Sequence, residues 1–326
     1  LNVWPAVSRR LAGASRVLLL FDYDGTLTPI VARPEIAILS EETRRSLTTL
    51  AGMDKFVVGV VSGRGLADLE ALVAIPGLFY AGNHGLEISG AGMDFVHQDA
   101  PAFEENLVEI AESLERELAG VPGIVVDNKR LTLTVHFRST PDSYAPQVDS
   151  KVVATAAPYV DAGTMKITRG KKVVEVRPNL DWGKGQAIEK IREDCGDNPY
   201  PVFFGDDQTD EDGFKVVQDA GGLAVFIGPT RQNTKALHQL ESPAEVAQTL
   251  ELLIGVSAIL GHNYPCWLGF KGGKGIATTA GVVGALAPVP LGICLGAWVF
   301  FFAISRFVSV SSIAAAVALP VSVAFL

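Results

Sequence analysis

The sequence predicts an α/β fold of the doubly wound kind, with an α+β segment inserted into it and an apolar helical segment after it. Three observations predict this. Short apolar runs that end in turns alternate with helical patterns up to Tyr80, and the alternation resumes after Trp182. Between Phe103 and Val176 the pattern changes to a long amphipathic helix and strands of period two. Finally, every Asp and Glu lies at or before Glu251, and long uncharged runs follow.

Val17–Phe21 (VLLLF) is short, apolar and followed by a turn, which predicts a fully buried parallel strand. Ser40 with Glu42 in the first turn opens a helix to Leu50. Phe56–Val61 (FVVGVV) is a second buried strand, Gly65–Val73 a second helix and Leu78–Tyr80 a short third strand. Phe103, Leu107, Ile110, Leu114 and Leu118 then recur at helical spacing with acids between them. Ile124–Val126, Leu131–Phe137 and Val173–Val176 predict antiparallel strands, and LTLTVHF alternates so that one face is covered and the other wet. Trp182–Arg192 returns to helix, Pro201–Phe204 and Leu223–Ile227 to buried strand, and Ala244–Ile254 to helix. The expected organisation is a core of residues 14–100 and 179–254, an insertion over 101–178, and a separate segment over 255–326.

Charge marks the last boundary. The net charge is -9, and after Glu251 only Lys271, Lys274 and Arg306 are charged, which leaves about -12 for the part before them. So acidic a soluble part excludes nucleic-acid binding, which needs basic surface against phosphates. The three cysteines, Cys195, Cys266 and Cys294, match no metal or disulfide spacing and suggest a reducing compartment. The apolar run at Val17–Phe21 is too short for a secretion signal.

Chemistry is carried first by Phe21-Asp22-Tyr23-Asp24-Gly25-Thr26-Leu27 at the end of a buried strand. Asp22 and Asp24 are two positions apart, so on an extended backbone both carboxylates project to one side. They repel unless a cation lies between them, and Mg²⁺ is the hard cation that accompanies phosphate. Ser62 ends the FVVGVV strand and opens Ser62-Gly63-Arg64. Its hydroxyl is placed to donate to a phosphoryl oxygen or to act as a plain helix cap. Lys184 stands at the start of a helix, where the dipole does not favour a cation, so it needs an anion nearby. Behind the strand PVFF, the run Gly205-Asp206-Asp207-Gln208-Thr209-Asp210-Glu211 gathers acids that would be costly in a closed pocket without metal.

These motifs, in this order, resemble the haloacid dehalogenase superfamily, whose core is Rossmann-like. The resemblance implies Asp22 as nucleophile and Asp24 as general acid and base. It implies Ser62, Gly63, Arg64 and Lys184 as phosphate grips, with Asp22, Asp24, Asp206 and Asp207 around Mg²⁺ and Asp210 in support. Within that superfamily the chain is similar to trehalose-6-phosphate phosphatases through DYDGTLTPI (22–30), VSGR (61–64), AGNHGLEI (81–88), DNKRLTLTVHFR (127–138), KKVVEVRPNLDWGKGQA (171–187) and GDDQTDEDGF (205–214). That likeness makes residues 101–178 a substrate-specificity cap. It makes His84, Glu87, Lys129, Arg138, Glu175 and Arg177 candidates for holding the sugar. A bland alternative stands beside it: Arg177 paired with Glu175 on a sheet surface, and Lys129 as a turn lysine. The implied substrate is trehalose 6-phosphate, with sucrose 6-phosphate or a glycosylglycerate phosphate as the alternatives.

From Gly275 to Ser305 and from Phe307 to Leu326 the chain is uncharged, and each run exceeds the roughly 18 apolar residues of a membrane span. Pro288 and Pro290 are expected to divide the longer run. GHNYP at 261–265 and GFKGGKGIAT at 269–278 resemble the second motif of bacterial membrane glycerol-3-phosphate acyltransferases that use acyl phosphate, and RFVSVSSIAAAVALP at 306–320 continues the likeness. The lysines suit an anionic phosphate or simple positive-inside anchoring. The first motif of that family does not precede this segment and its last does not follow. The expectation is therefore a cytoplasmic phosphatase tethered to the membrane, with glycerol-3-phosphate acyltransferase activity in the tail as the alternative.

Overall fold

The computed structural model describes residues 10, 13–31, 33–230, 234–263 and 276–325. Cys266, Lys271 and Lys274 lie outside the described residues, and Cys195 and Cys294 are free thiols. By its contacts the chain divides into two compact units, 1–247 and 248–326.

The first unit is built on an eight-stranded sheet. Strand β1 (Val17–Phe21) is buried along its whole length and pairs in parallel with β2 (Phe56–Val61) on one side and β10 (Tyr200–Gly205) on the other. The chain leaves β1 through α1 (Glu41–Ala51), β2, α2 (Leu66–Val73) and β3 (Phe79–Gly82). Ser40 caps α1 as the sequence predicts, its side chain accepting from the Thr43 amide. β4 (Glu87–Gly90) and β5 (Met93–Val96) then extend the sheet as an antiparallel hairpin. The hairpin has no clear signal in the sequence after Tyr80. Its strands are four residues long and its turn residues, Gly90, Ala91 and Gly92, all have positive φ.

After the insertion, α5 (Lys184–Asp194), β10, α6 (Glu211–Asp219), β11 (Leu223–Ile227), β12 (His238–Leu240) and α7 (Pro243–Asn263) complete the other half. The sheet order is β12-β11-β10-β1-β2-β3-β4-β5, so β1 is the point where the winding reverses. The carboxyl ends of β1, β2 and β10 meet there, where such sheets place their ligands.

The insertion has its own four-stranded antiparallel sheet, β6 (Val125–Asn128), β7 (Leu133–His136), β9 (Val173–Pro178) and β8 (Met165–Gly170) in that spatial order. Leu133, Val135, Val174 and Val176 pack under α3 (Glu104–Leu118) and α4 (Ala145–Asp161). Period two turns the alternate residues, Thr134, His136, Val173 and Glu175, to the opposite face, where they line the cleft over the core. Two elements of the insertion are absent from the sequence prediction: α4, whose prolines fall in its first turn and at Pro158, and the polar edge strand β8.

In the second unit, α8 (Ile276–Leu286) is separated by Ala287 from α9 (Pro288–Ser305), with proline in the first turn of α9 as expected. Arg306 in left-handed conformation caps α9, and α10 (Val308–Phe325) follows. Helices α9 and α10 have mean hydropathies of 1.9 and 2.0 and are only 11% buried. Helix α7 runs straight through Gly255, where the sequence suggested a boundary.

Candidate active site

Asp22 follows β1, Ser62 follows β2, and Asp206 follows β10, so three adjacent strands deliver them to one place. Two glycines let the loops close there. Gly25 has φ +95, and a Cβ on it would stand 2.2 Å from the Asp206 carboxylate. A Cβ on Gly63 would meet the His84 ring at 2.8 Å.

Lys184 ties the acids together. Its side chain is 3% exposed, and its Nζ donates to Asp22 Oδ1 at 2.6 Å and to Asp210 Oδ1 at 2.7 Å. The helix-start cation thus finds its anions in two carboxylates. Asp210 Oδ2 in turn accepts from the amides of Asp206 and Asp207 at 2.9 and 3.0 Å, fixing the acidic loop. Asp206 Oδ2 accepts from Lys171 of the cap at 2.6 Å. Burial, with Asp210 and Asp206 nearby, raises the Asp22 carboxyl well above the usual range despite Lys184. Burial and Asp210 push Asp206 up to about 7. Burial and Asp207 push Asp210 up to about 6.

Buried carboxylates that resist ionisation are the donor set a hard divalent cation satisfies. Oxygens of Asp22, Asp206 and Asp210 lie within 4.8 Å of one another, so these residues fit Mg²⁺. This set differs from the one the motif implied. Asp207 turns into its own loop, where Oδ1 accepts from the Thr209 amide and hydroxyl, both at 2.7 Å. Asp24 is bound to Arg64, its oxygens accepting from Nε at 2.7 Å and Nη2 at 2.9 Å. Both still line the cleft.

Asn83 and His84 have positive φ, which is unusual for non-glycine residues, and Gly85 continues the run. Backbone bonds tie it to the Ser62 loop: Asn83 N donates to Arg64 O at 2.6 Å and His84 N to Ser62 O at 2.9 Å. This presents His84 Nε2 to Glu175 of the cap at 2.9 Å. Burial alone would raise the Glu175 carboxyl, but His84, Lys129 and Arg177 together hold it well below the usual range. Lys129 Nζ donates to Gly63 O and to Thr134 Oγ1, each at 2.8 Å.

The structure therefore gathers Asp22, Asp24, Ser62, Gly63, Arg64, His84, Lys129, Arg138, Glu175, Lys184, Asp206 and Asp207 around one cleft between core and cap. Asp210 lies directly behind it, fully buried. Arg138 reaches back to the core, donating to Val31 O at 3.1 Å. Two sugar candidates do not line this cleft. Glu87 pairs with Arg130 at 2.5 Å and accepts from Asn83, and Arg177 lies beyond the polar row with its Nε buried and unpartnered.

Lys171, Asp127, Thr134, His136 and Thr168, which the sequence does not single out, also stand in the cleft wall. Period two was the available signal. Asp127 is paired with Thr134, Thr134 with Glu175, and Glu175 with Thr168, so one register row crosses the wet face of all four cap strands.

A family model described as trehalose-phosphatase matches residues 20–244. One described as glycerol-3-phosphate acyltransferase matches residues 215–326. Trehalose-phosphate phosphatase B of Arabidopsis thaliana is 31% identical over 268 residues, covering 78% of this chain and 70% of that protein. A probable trehalose-phosphate phosphatase of Oryza sativa is 32% identical over 265 residues, covering 75% and 71%. Among solved structures, the C-terminal domain of the C. albicans trehalose-6-phosphate phosphatase is 27% identical with a TM-score of 0.67, covering 77% of this chain and 96% of that one. With its α/β core and inserted cap, this chain belongs to the trehalose-phosphatase family of phosphoric monoester hydrolases.

Proposed function

We propose that the first unit hydrolyses trehalose 6-phosphate to trehalose and phosphate. The observation that carries this reading is the meeting of two chemistries in one cleft: the Asp22–Lys184–Asp210 cluster below and the Asp127–Thr134–Glu175–Thr168 row above. A phosphoryl group needs the first. A neutral polyol, with a donor and acceptor on every hydroxyl, needs the second.

Asp22 attacks phosphorus through a carboxylate oxygen, and the bond from phosphorus to the sugar oxygen breaks. Asp24 gives its proton to that oxygen, and an aspartyl phosphate remains. Asp24 then takes a proton from water, whose oxygen displaces Asp22 and releases inorganic phosphate. Ser62 and Lys184 hold the phosphoryl oxygens as charge spreads over them. Mg²⁺ bound by Asp22, Asp206 and Asp210 would supply further positive charge at those oxygens. The cap excludes water, and bonds that join it to the core, among them Lys171 to Asp206, Lys129 to Gly63 O and His84 to Glu175, must loosen for substrate to enter.

Helices α9 and α10, each of 18 residues, are about 27 Å long at 1.5 Å per residue, near the thickness of a hydrocarbon core. We propose that they tether the phosphatase to a membrane.

A substrate panel tests the main reading. Trehalose 6-phosphate should exceed sucrose 6-phosphate and a glycosylglycerate phosphate in kcat/KM by about 100-fold or more, the discrimination available to a site built to bond hydroxyls. Equal rates on all three would leave a general sugar-phosphate phosphatase.

A further inference from the structure

We infer that Arg64 is a positioning residue that holds Asp24 for proton transfer to the leaving sugar oxygen, rather than a grip on the phosphate. The inference rests on the role of Asp24 proposed above. A guanidinium has five N–H donors in a rigid plane. Four are already engaged, none with the cluster that holds the phosphoryl group. Nε and one N–H of Nη2 take the two oxygens of Asp24 at 2.7 and 2.9 Å. The other N–H of Nη2 donates to Pro34 O at 2.8 Å, and Nη1 donates to Asp68 Oδ2 at 2.9 Å.

The plane of the guanidinium is fixed as well. It lies 5.2 Å from the centroid of the Tyr23 ring, and the Tyr23 hydroxyl donates to Ala37 O at 2.7 Å. The residue between the two catalytic acids in sequence thus serves as a platform for the arginine that orients the second of them. Exposure separates the two partners. The Arg64 side chain is 8% exposed and that of Asp24 is 31%. The guanidinium is embedded in the wall, and the carboxyl is the part that faces the cleft. A bidentate fork fixes the plane of a carboxyl group, which a point charge cannot do. Fixed orientation is what an acid needs in order to meet one oxygen of a bound substrate.

A leaving group that departs readily as an anion has little need of a proton, whereas a sugar alkoxide cannot leave without one. The full chain with Mg²⁺ is therefore assayed on trehalose 6-phosphate and on p-nitrophenyl phosphate, as wild type, Arg64→Lys, Arg64→Gln and Asp24→Asn. The quantity compared is kcat/KM, which counts steps only through departure of the leaving group and so omits the later work of Asp24 as base. Both Arg64 variants should lose about 100-fold on trehalose 6-phosphate, within the range of general acid catalysis, and under about 5-fold on the aryl ester. Arg64→Lys should not rescue, since it restores the charge without the fork. Retained hydrolysis of the aryl ester shows that the site is folded. Asp68→Asn, which frees one corner of the guanidinium, should shift the ratio in the same direction by less. Equal losses on both substrates would make Arg64 a phosphate grip or a scaffold residue and overturn the inference. If Asp24→Asn itself shows no preference between the substrates, the proposed role of Asp24 fails. If Asp24→Asn shows the preference and Arg64 does not, only the inference falls.

Discussion

The floor of the cleft and its roof solve different problems with different side chains. On the floor, Asp22, Lys184, Asp210 and Asp206 compress formal charges into a buried knot whose carboxyl groups are displaced from their ordinary ionisation. On the roof, Thr134 and Thr168 flank Glu175, and the charge of Glu175 is matched by His84 and Lys129. The floor comes from loops at strand ends, and the roof from one register row of an antiparallel sheet. On the proposed mechanism, bond breaking and substrate choice belong to separable stretches of chain. Mutations should therefore divide into those that stop all phosphate ester hydrolysis and those that lose only the sugar.

The largest expected effect lies on the floor. Asp22→Asn should lower kcat by on the order of 10⁴-fold or more on trehalose 6-phosphate and on p-nitrophenyl phosphate alike, because an amide cannot form the aspartyl phosphate. Steady-state rates on both substrates check this, and near-normal turnover would break the comparison at its root. Next is the metal. Excess chelator should abolish activity on both substrates and Mg²⁺ should restore it. Mg²⁺ at about 100 times its dissociation constant should also stabilise the protein by about 2.7 kcal/mol, read from the thermal midpoint without any assay of activity.

On the roof, Glu175→Gln should raise KM for trehalose 6-phosphate by about 10- to 100-fold, the worth of hydrogen bonds to a charged group, with kcat/KM on the aryl ester nearly unchanged. Equal losses on both substrates would show that the roof takes part in bond breaking. The same variant has a stability signature. His84, Lys129 and Arg177 outweigh burial and keep the Glu175 carboxyl below its ordinary 4.5. A depressed carboxyl stabilises the fold fully above about pH 4.5, and that contribution is lost as pH falls through the lowered value. Glu175→Gln should thus be less stable than wild type at pH 7, and the gap should narrow below about pH 4.5 in denaturant titrations.

The floor was far more legible in the sequence than the roof. Buried parallel strands are continuous apolar runs, so VLLLF, FVVGVV and PVFF announce where they end and the candidate catalytic residues begin. Lys184 was legible because a cation at a helix start needs an explanation. The partner of Asp24 was not legible, because the bond from Arg64 spans 40 residues and depends on how two loops fold over Tyr23. The third member of the acidic cluster was hidden for a similar reason. In GDDQTD, the loop geometry decides that Asp210, and not Asp207, faces Asp22. The roof was half legible. Alternation in LTLTVHF gave the wet face, but strand pairing set Asp127, Thr134, Glu175 and Thr168 in one row, and β8 was too polar to be recognised. Glu87 and Arg177 show the limit of motif reading, since their motifs are present and their side chains lie outside the cleft.

The smallest effect is expected from the tail. Ending the chain after Asn263 removes α8, α9 and α10 and should release the protein from the membrane fraction, while kcat and KM on soluble substrate stay within about 2-fold, because the residues lining the cleft end at Thr209 in sequence. Loss of activity on truncation would mean that the apolar helices are needed to complete the phosphatase.

The most direct test of the account is phosphate release from trehalose 6-phosphate by the wild-type chain and by Glu175→Gln, each measured beside p-nitrophenyl phosphate with Mg²⁺ present. The wild type should release phosphate and free trehalose efficiently, and the variant should lose the disaccharide substrate while keeping the aryl ester. Failure of the wild type to release phosphate from trehalose 6-phosphate, while it hydrolyses other phosphate esters efficiently, would contradict it.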